Sequence, residues 1–198
     1  MTLCLLVRHA AHDLLGKVLV GRTPGIGLSE AGRKQAHQLG RTLRGMRVGR
    51  VQSSPRLRAI ETASAIATAC GIGVQVCAAL DEVEFGAWNG RCFAELEPVP
   101  EWVRWNTERS EARPPGGEGM AEAQARILAH LNSMRAGDAG GCIVMVTHAE
   151  IIRAALLHTM ALPLEAWEQV DVAPAAVVQF KWRDRRPLAQ ISGGVAAE

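Results

Sequence analysis

The stretch LCLLVRHA at residues 3–10 places five apolar residues directly before Arg8 and His9. A short run that is apolar at every position is typical of a strand buried on both faces, as in a parallel sheet. The stretch CIVMVTHA at residues 142–149 repeats this pattern and leads into His148. If the two strands are parallel neighbours, His9 and His148 face one crevice, because open α/β sheets bind ligands beyond the carboxyl ends of their strands.

Extended and helical patterns alternate along the rest of the chain. Further strands are predicted near residues 50–53, 74–80, 175–182 and 188–191, and helices carry apolar stripes within residues 28–46, 59–67, 120–134 and 152–160. This alternation predicts a three-layer α/β/α sandwich with a mostly parallel central sheet. No internal repeat or linker divides the sequence, so we predict a single domain over residues 1–198 with a loose tail from Gly193.

Residues 86–118 interrupt the alternation with tryptophans, arginines and a run of prolines and glycines. We predict a small helical insertion that lies over the site rather than in the core. Its tryptophans either stack on a ligand or, as we favour, pack the insertion against the core; they are Trp88, Trp102 and Trp105. Its arginines either bind a second anionic group or form a solvated helix face; they are Arg104, Arg109 and Arg113.

The composition excludes several classes of function. The formal net charge of the 198 residues is +2, which does not call for nucleic acid as a partner. No stretch approaches the roughly 18 apolar residues of a membrane span, and no signal-peptide pattern is present, so we expect the cytoplasm. The five cysteines are scattered without a Cys-x-x-Cys pair, which argues against a zinc site or a disulfide framework.

The stretch SSPRLR at residues 53–58 lies at a predicted strand-to-helix junction, with Pro55 suited to the first turn of the helix. A helix start offers free N–H groups and a positive dipole end to a phosphate. Arg58 and Arg8 can each present a planar fork of donors to phosphoryl oxygens. With the two histidines, they predict a cationic pocket that needs no metal.

Carboxylates at the edge of the insertion are candidates for a general acid. Asp81, Glu82 and Glu84 lie together in the stretch LDEVEFG at residues 80–86. The leaving group of a phosphoester needs a proton, which a carboxylic acid with a raised pKa can supply. The negative charge of a bound phosphate would raise the pKa of such a neighbouring acid.

These features resemble the histidine phosphatase superfamily, also called the phosphoglycerate mutase-like family. The resemblance covers most of the chain in six blocks that occur in the family's order. The blocks are residues 6–9 (its Arg-His-Gly signature), 21–36, 53–63 (its second arginine motif), 80–90 (its acid-donor block), 115–118 and 146–148 (its second histidine).

The resemblance implies roles for the candidate residues. His9 is the implied nucleophile, which becomes phosphohistidine. Arg8, Arg58 and His148 are implied to bind the transferring phosphoryl group. Glu82 is implied to protonate the leaving oxygen and then to take a proton from the attacking water, with Asp81 and Glu84 as its rivals.

The implied substrate contacts also include Gly21, Arg22 and Ala149, although Arg22 has the alternative of a solvated loop arginine. No metal and no cofactor are implied. The chain departs from the family pattern at Ala10, which replaces the signature glycine, and at His12, which either contacts the phosphate or faces solvent. Asn89 and Gly119 replace a glutamate and a serine of the family motifs and blur the substrate subfamily.

Three functions follow from this interpretation. The favoured one is a metal-independent phosphatase acting on a small phosphorylated metabolite, as a monomer or a homodimer. The alternatives are a phosphomutase of the phosphoglycerate mutase type, and a non-catalytic protein that binds phosphorylated ligands. The insertion is modest for the closed, water-poor site that a mutase needs, and a binding protein has no need of an acid donor.

Overall fold

The computed structural model describes residues 3–136, 141–183 and 186–192. Its strands are β1 (Leu3–Arg8), β2 (Val48–Ser53), β3 (Val74–Val76), β4 (Cys142–Thr147), β5 (Val177–Arg183) and β6 (Arg186–Ser192). Its α-helices are α1 (Glu30–Leu43), α2 (Leu57–Cys70), α3 (Phe93–Leu96), α4 (Pro100–Thr107), α5 (Met120–Ala136) and α6 (Ala149–Thr159). Short 3₁₀ turns lie at Arg44–Met46, Ala78–Leu80, Gly86–Trp88 and Leu164–Gln169.

The described strands form one six-stranded sheet in the order β3-β2-β4-β1-β5-β6. β1 and β4 are parallel neighbours, and Arg8 lies opposite Thr147 at their carboxyl ends. β2 is also parallel to both β4 and β3, whereas β5 and β6 run antiparallel at one edge. The predicted mostly parallel sheet is therefore confirmed, with the pairing of β1 and β4 that the position of the two histidines requires.

The two faces of β1 belong to different core layers. Leu5 and Val7 pack in a cluster with buried side chains of α1 and α2. Cys4 and Leu6, which point to the opposite face, pack in a cluster with α5 and α6. Helices cover both faces, which explains why residues 3–7 are apolar at every position and confirms the three-layer prediction.

Two helix ends follow local sequence signals, and the start of α2 differs from its prediction. The Ser29 side chain accepts a hydrogen bond from the Gly32 N–H at 3.0 Å and caps α1. Gly71 ends α2 with a φ of 71°, a left-handed conformation that glycine adopts without strain. The prediction for Pro55 was wrong, because α2 begins at Leu57. The chain remains extended through Arg56, whose side chain reaches Asp81.

The edge strands differ from their predicted lengths. The stretch predicted as extended over residues 74–80 is a strand only to Val76 and then forms a 3₁₀ turn. The late strand begins at Val177 rather than at Ala175, since Ala175 has a φ of 60° that interrupts an extended chain. β6 extends the sheet over Arg186–Ser192, whereas the predicted loose tail from Gly193 lies outside the described residues.

The insertion over residues 86–118 contains α3 and α4, as predicted. Trp88, Leu96 and Trp105 are nonetheless buried in the same hydrophobic cluster as α5 and α6. The expectation that the insertion stays out of the core was therefore wrong, because its aromatic side chains extend the core. Within the described residues, none of the helices combines the length and the apolar character needed to cross a membrane.

Candidate active site

Two histidine rings meet where β1 and β4 end. The His9 N–H donates to the Thr147 carbonyl at 2.9 Å, which continues the parallel pairing by one residue. The ring centroids of His9 and His148 lie 5.1 Å apart, and both side chains are buried. The sheet therefore brings the two predicted histidines together across the crevice.

Arg58 reaches this pair from the first turn of α2. Its Nε donates to His9 Nε2 at 3.2 Å, and its Nη2 donates to His148 Nδ1 at 3.1 Å. The same Nη2 also donates to the Gly21 carbonyl at 2.7 Å. Nη1 is buried and has no hydrogen-bond partner among the described residues, so Arg58 keeps a donor available for a phosphoryl oxygen.

The hydrogen bonds of His9 define its tautomer. Nδ1 lies 2.9 Å from the Ala10 carbonyl, which can only accept, so Nδ1 carries the proton. Nε2 faces the Arg58 donor and therefore holds a lone pair. Burial lowers the pKa of His9 well below its usual value, and the charge of Arg58 lowers it further. His9 is a neutral ring whose Nε2 can act as a nucleophile.

His148 is fixed by a chain of hydrogen bonds on its other side. Its Nε2 lies 2.7 Å from Ser54 Oγ, and the Ser54 hydroxyl donates to Asp81 at 3.2 Å. Because the single Ser54 proton goes to Asp81, His148 Nε2 carries the proton and Nδ1 is the acceptor of Arg58. Burial and then the charge of Arg58 hold the pKa of His148 well below its usual value.

Glu82 supplies a carboxyl group beside the histidines. Its Oε2 lies 3.9 Å from His148 Nδ1, and its side chain is buried. Burial raises the pKa of Glu82 to about 7, and the nearby carboxylate of Glu150 raises it further. A substantial share of Glu82 is therefore protonated near neutral pH, which is the state that a general acid requires.

Arg22, which was predicted to contact substrate, is not among the residues that line the cavity described below. Its Nε donates to the Glu82 carbonyl at 2.7 Å, and its Nη2 donates to Glu118 at 3.0 Å. Its Nε also lies 3.5 Å from an oxygen of Asp81. These bonds hold the segment that carries Glu82, so Arg22 positions the acid.

Several positioning residues were not predicted from the sequence. Arg126 of α5 donates to the carbonyls of Ala79 and Asp81 at 2.9 and 2.8 Å, which also supports the Glu82 segment. Arg56 forms a salt bridge with Asp81 at 2.9 Å. Ser54 and Arg56 lie inside the motif that contains Arg58, and this position in the sequence could have indicated that they belong to the site. Arg126 lies in a helix outside every motif, so the sequence did not indicate that it belongs to the site.

A cavity of about 380 Å³ opens over this constellation. The predicted site residues that line it are Arg8, His9, Gly21, Arg58, Glu82 and Ala149, whereas His148 is fully buried and is not among the lining residues. His12 lines it as well; its ring centroid lies 5.5 Å from that of His9 and only 7% of the residue is exposed. The solvent-facing alternative for His12 is therefore wrong. Burial lowers the pKa of His12 to about 4, which keeps its ring neutral near pH 7.

Gly21 is required by the geometry beside Arg58. Its φ is 48°, and a Cβ at this position would lie 2.0 Å from Asn89 Oδ1 and 2.9 Å from the Phe85 ring. We expect Gly21→Ala to lower the free energy of unfolding by at least about 2 kcal/mol, because it combines backbone strain with overpacking. Urea unfolding measures this change.

Gly25 provides the matched control for that substitution. Its φ is 77°, but an added Cβ would meet nothing within 4 Å. Gly25→Ala should therefore cost about 1 kcal/mol, from backbone strain alone. Equal losses in the two variants would show that the contacts with Asn89 and Phe85 do not restrict position 21.

The fold and the site together define a class of protein. A solved structure of mycobacterial glucosyl-3-phosphoglycerate phosphatase shares this fold, with a TM-score of 0.82 at 24% identity over 96% of each chain. The family profile of the histidine phosphatase superfamily (branch 1) matches residues 4–192. The chain belongs to the histidine phosphatase superfamily, as the six sequence blocks predicted.

Two curated relatives match most of this chain. It is 33% identical to phosphoserine phosphatase 1 of Hydrogenobacter thermophilus over 94% of this chain and 89% of that protein. It is 31% identical to a bifunctional protein of Mycobacterium tuberculosis over 90% of this chain. The chain spans about half the length of that protein, with 50% of it covered.

Proposed function

We propose that the protein is a metal-independent phosphatase that hydrolyses a small-molecule phosphomonoester through a phosphohistidine on His9. One observation carries the proposal: the unprotonated Nε2 of His9 borders a cavity that also holds a free donor of Arg58 and the carboxyl of Glu82. A nucleophile, an anion-binding group and a proton donor are the three parts that phosphoryl transfer needs.

In the first step, His9 Nε2 attacks the phosphorus atom and the bond from phosphorus to the ester oxygen breaks. Arg8 and Arg58 bind the equatorial oxygens, where negative charge is concentrated in the transition state. The negative charge of the phosphate favours the protonated form of His148, whose Nδ1–H then donates to the same group. Glu82 gives its proton to the leaving oxygen, so the alcohol departs neutral.

In the second step, water attacks phosphohistidine and the bond from phosphorus to His9 Nε2 breaks. The carboxylate of Glu82, formed in the first step, removes a proton from the water. Inorganic phosphate leaves, and Glu82 is again protonated for the next cycle. Arg22 and Arg126 serve both steps, because each holds the backbone of the Glu82 segment by a hydrogen bond to its carbonyls.

The phosphatase is preferred to the phosphomutase because the insertion contributes only the short helices α3 and α4, which is modest for the closed, water-poor site that a mutase needs. We also propose that the partner is a small phosphorylated metabolite and that neither nucleic acid nor a membrane is a partner. A cytoplasmic location, and a monomeric or homodimeric state, stay predictions.

We expect the protein to hydrolyse p-nitrophenyl phosphate at an undiminished rate after treatment with EDTA, since the proposed groups stabilise the transition state without a metal. Release of p-nitrophenol measures turnover, and release of inorganic phosphate in equal amount distinguishes a phosphatase from a mutase that retains its phosphoryl group. Loss of activity in EDTA and its recovery with a divalent cation would contradict the metal-independent mechanism. Ligand binding without turnover would favour the non-catalytic alternative.

A further inference from the structure

The cavity continues beyond the phosphate end into a second part, which we call the outer chamber. Part of its wall is apolar and is formed by Leu15, Val18 and Leu19 of the loop after β1 and by Phe93 and Trp102 of the insertion. Trp102 and Phe93 pack against each other, with ring centroids 6.1 Å apart, and both are half-buried. This wall offers an apolar surface with two aromatic rings to the part of the substrate next to the scissile ester.

The remaining wall of the outer chamber is polar, but its charges are paired with each other. The carboxylate of Glu150 forms salt bridges with Arg109 and, at 2.6 Å, with Arg153. Burial raises the pKa of Glu150, but the two arginines outweigh this effect and lower it overall, so the carboxylate stays charged. Glu150 thus occupies the place that a substrate carboxylate would need between the two arginines.

Most of the other donors of these arginines are also engaged or buried, and Arg153 Nη2 lies 4.0 Å from Asp171. The Arg109 guanidinium carbon lies 4.1 Å from the centre of the Trp167 ring, and only 3% of the residue is exposed. Its Nη2 donates to Asn106 at 3.2 Å, and its Nε is buried. Arg153 Nε donates to the Val170 carbonyl at 3.0 Å. An acidic group of the substrate placed between the two guanidinium groups would have to displace Glu150 from its ion pairs, which is costly.

From these two walls we infer that the leaving alcohol of the substrate has an aromatic or other apolar body and carries no carboxylate. This inference rests on the proposed phosphatase function and assigns its substrate class. Burial of an apolar body against Trp102 and its neighbours contributes to kcat/KM in proportion to the apolar area removed from water. The preference differs from that in the name of the relative of Hydrogenobacter thermophilus, whose substrate phosphoserine is an acid.

The test compares kcat/KM of the unmodified protein for 3-phenylpropyl phosphate, propyl phosphate and phosphoserine. The first two share a primary alkanol leaving group, so their ratio reports the contact with the phenyl ring. We expect 3-phenylpropyl phosphate to exceed propyl phosphate by more than about tenfold, and phosphoserine to fall below both. A ratio near one, or phosphoserine as the best of the three, would overturn the inference.

Two variants locate the effect. Trp102→Ala should reduce the ratio of 3-phenylpropyl to propyl phosphate to within about threefold of one, because the aromatic wall is removed. Val103→Ala, at the neighbouring position of α4 with 51% of the residue exposed, should keep the ratio of the unmodified protein. A Trp102→Ala variant with an unchanged ratio would contradict the role of this wall.

The proposed function and the substrate class fail in different ways. If none of the three compounds is hydrolysed, nor p-nitrophenyl phosphate, the phosphatase is contradicted. The dissociation constants of the same three compounds, measured by calorimetry, then test the substrate class alone. Tighter binding of 3-phenylpropyl phosphate than of phosphoserine would support it, and the reverse order would overturn it.

Discussion

We expect His9→Ala to lower kcat for p-nitrophenyl phosphate by at least about a thousandfold, since removal of a nucleophile that acts in concert with other groups has effects of this size or larger. Because p-nitrophenolate leaves without a proton, a disturbed general acid at Glu82 would not by itself cause such a large drop. Steady-state release of p-nitrophenol measures it. His37→Ala, on an exposed position of α1, is the matched control and should retain full activity.

A trapping experiment tests the same residue more directly. Rapid quenching in alkali should recover a phosphoryl group bound to the unmodified protein, stable in base and released in acid, as expected of a phosphoramidate. The label should be absent from His9→Ala and present in His37→Ala. A turnover-competent His9→Ala variant, or a label on another residue, would remove His9 from the role of nucleophile.

The histidine pair could be predicted because its position depends on short-range patterns. Residues 3–7 and 142–146 are apolar at every position, and this pattern is explained by helices that cover both faces of β1 and β4. Parallel pairing then places the residues after each strand at one edge of the sheet. Arg58 could be predicted for a similar reason, since it lies one residue inside a helix that starts at this edge.

The surroundings of Glu82 could not be predicted in the same way. Arg22 binds the Glu82 carbonyl across 60 residues of sequence and Glu118 across 96, so no local pattern indicates its partners. Three nearby carboxylates, among them Glu84 at 3.8 Å, attract its guanidinium away from the cavity. The sequence around a loop arginine is the same whether its side chain contacts substrate or supports the backbone. Long-range packing decides which of the two roles it has.

The three tryptophans of the insertion all pack in or against the hydrophobic core, and two of them also border the cavity. Trp88 and Trp105 are buried in the core, as the favoured packing interpretation predicted. Trp105 also borders the cavity, and Trp102 is half-buried there beside Phe93. Helical spacing alone does not separate these positions, because α4 is a short helix with one face against the core and the adjacent face on the cavity.

We expect Glu82→Gln to slow the hydrolysis of alkyl phosphates by about a hundredfold or more, and that of p-nitrophenyl phosphate by less than about tenfold. An alkoxide needs a proton to leave, whereas p-nitrophenolate departs without one. Values of kcat/KM for propyl and p-nitrophenyl phosphate give the two effects. Glu84→Gln, which changes the alternative candidate for the general acid, is the matched control. It should slow both esters only slightly and by the same factor.

The pH dependence provides a second, independent measure of the acid. Catalysis in the first step requires protonated Glu82, whose pKa burial raises to about 7. For propyl phosphate, kcat/KM should therefore fall as the pH rises through about 7, since the proton is lost from the free enzyme. Glu82→Gln carries no titrating group there and should lose this alkaline fall. If the fall persists in Glu82→Gln, or both esters are slowed equally, another group protonates the leaving oxygen.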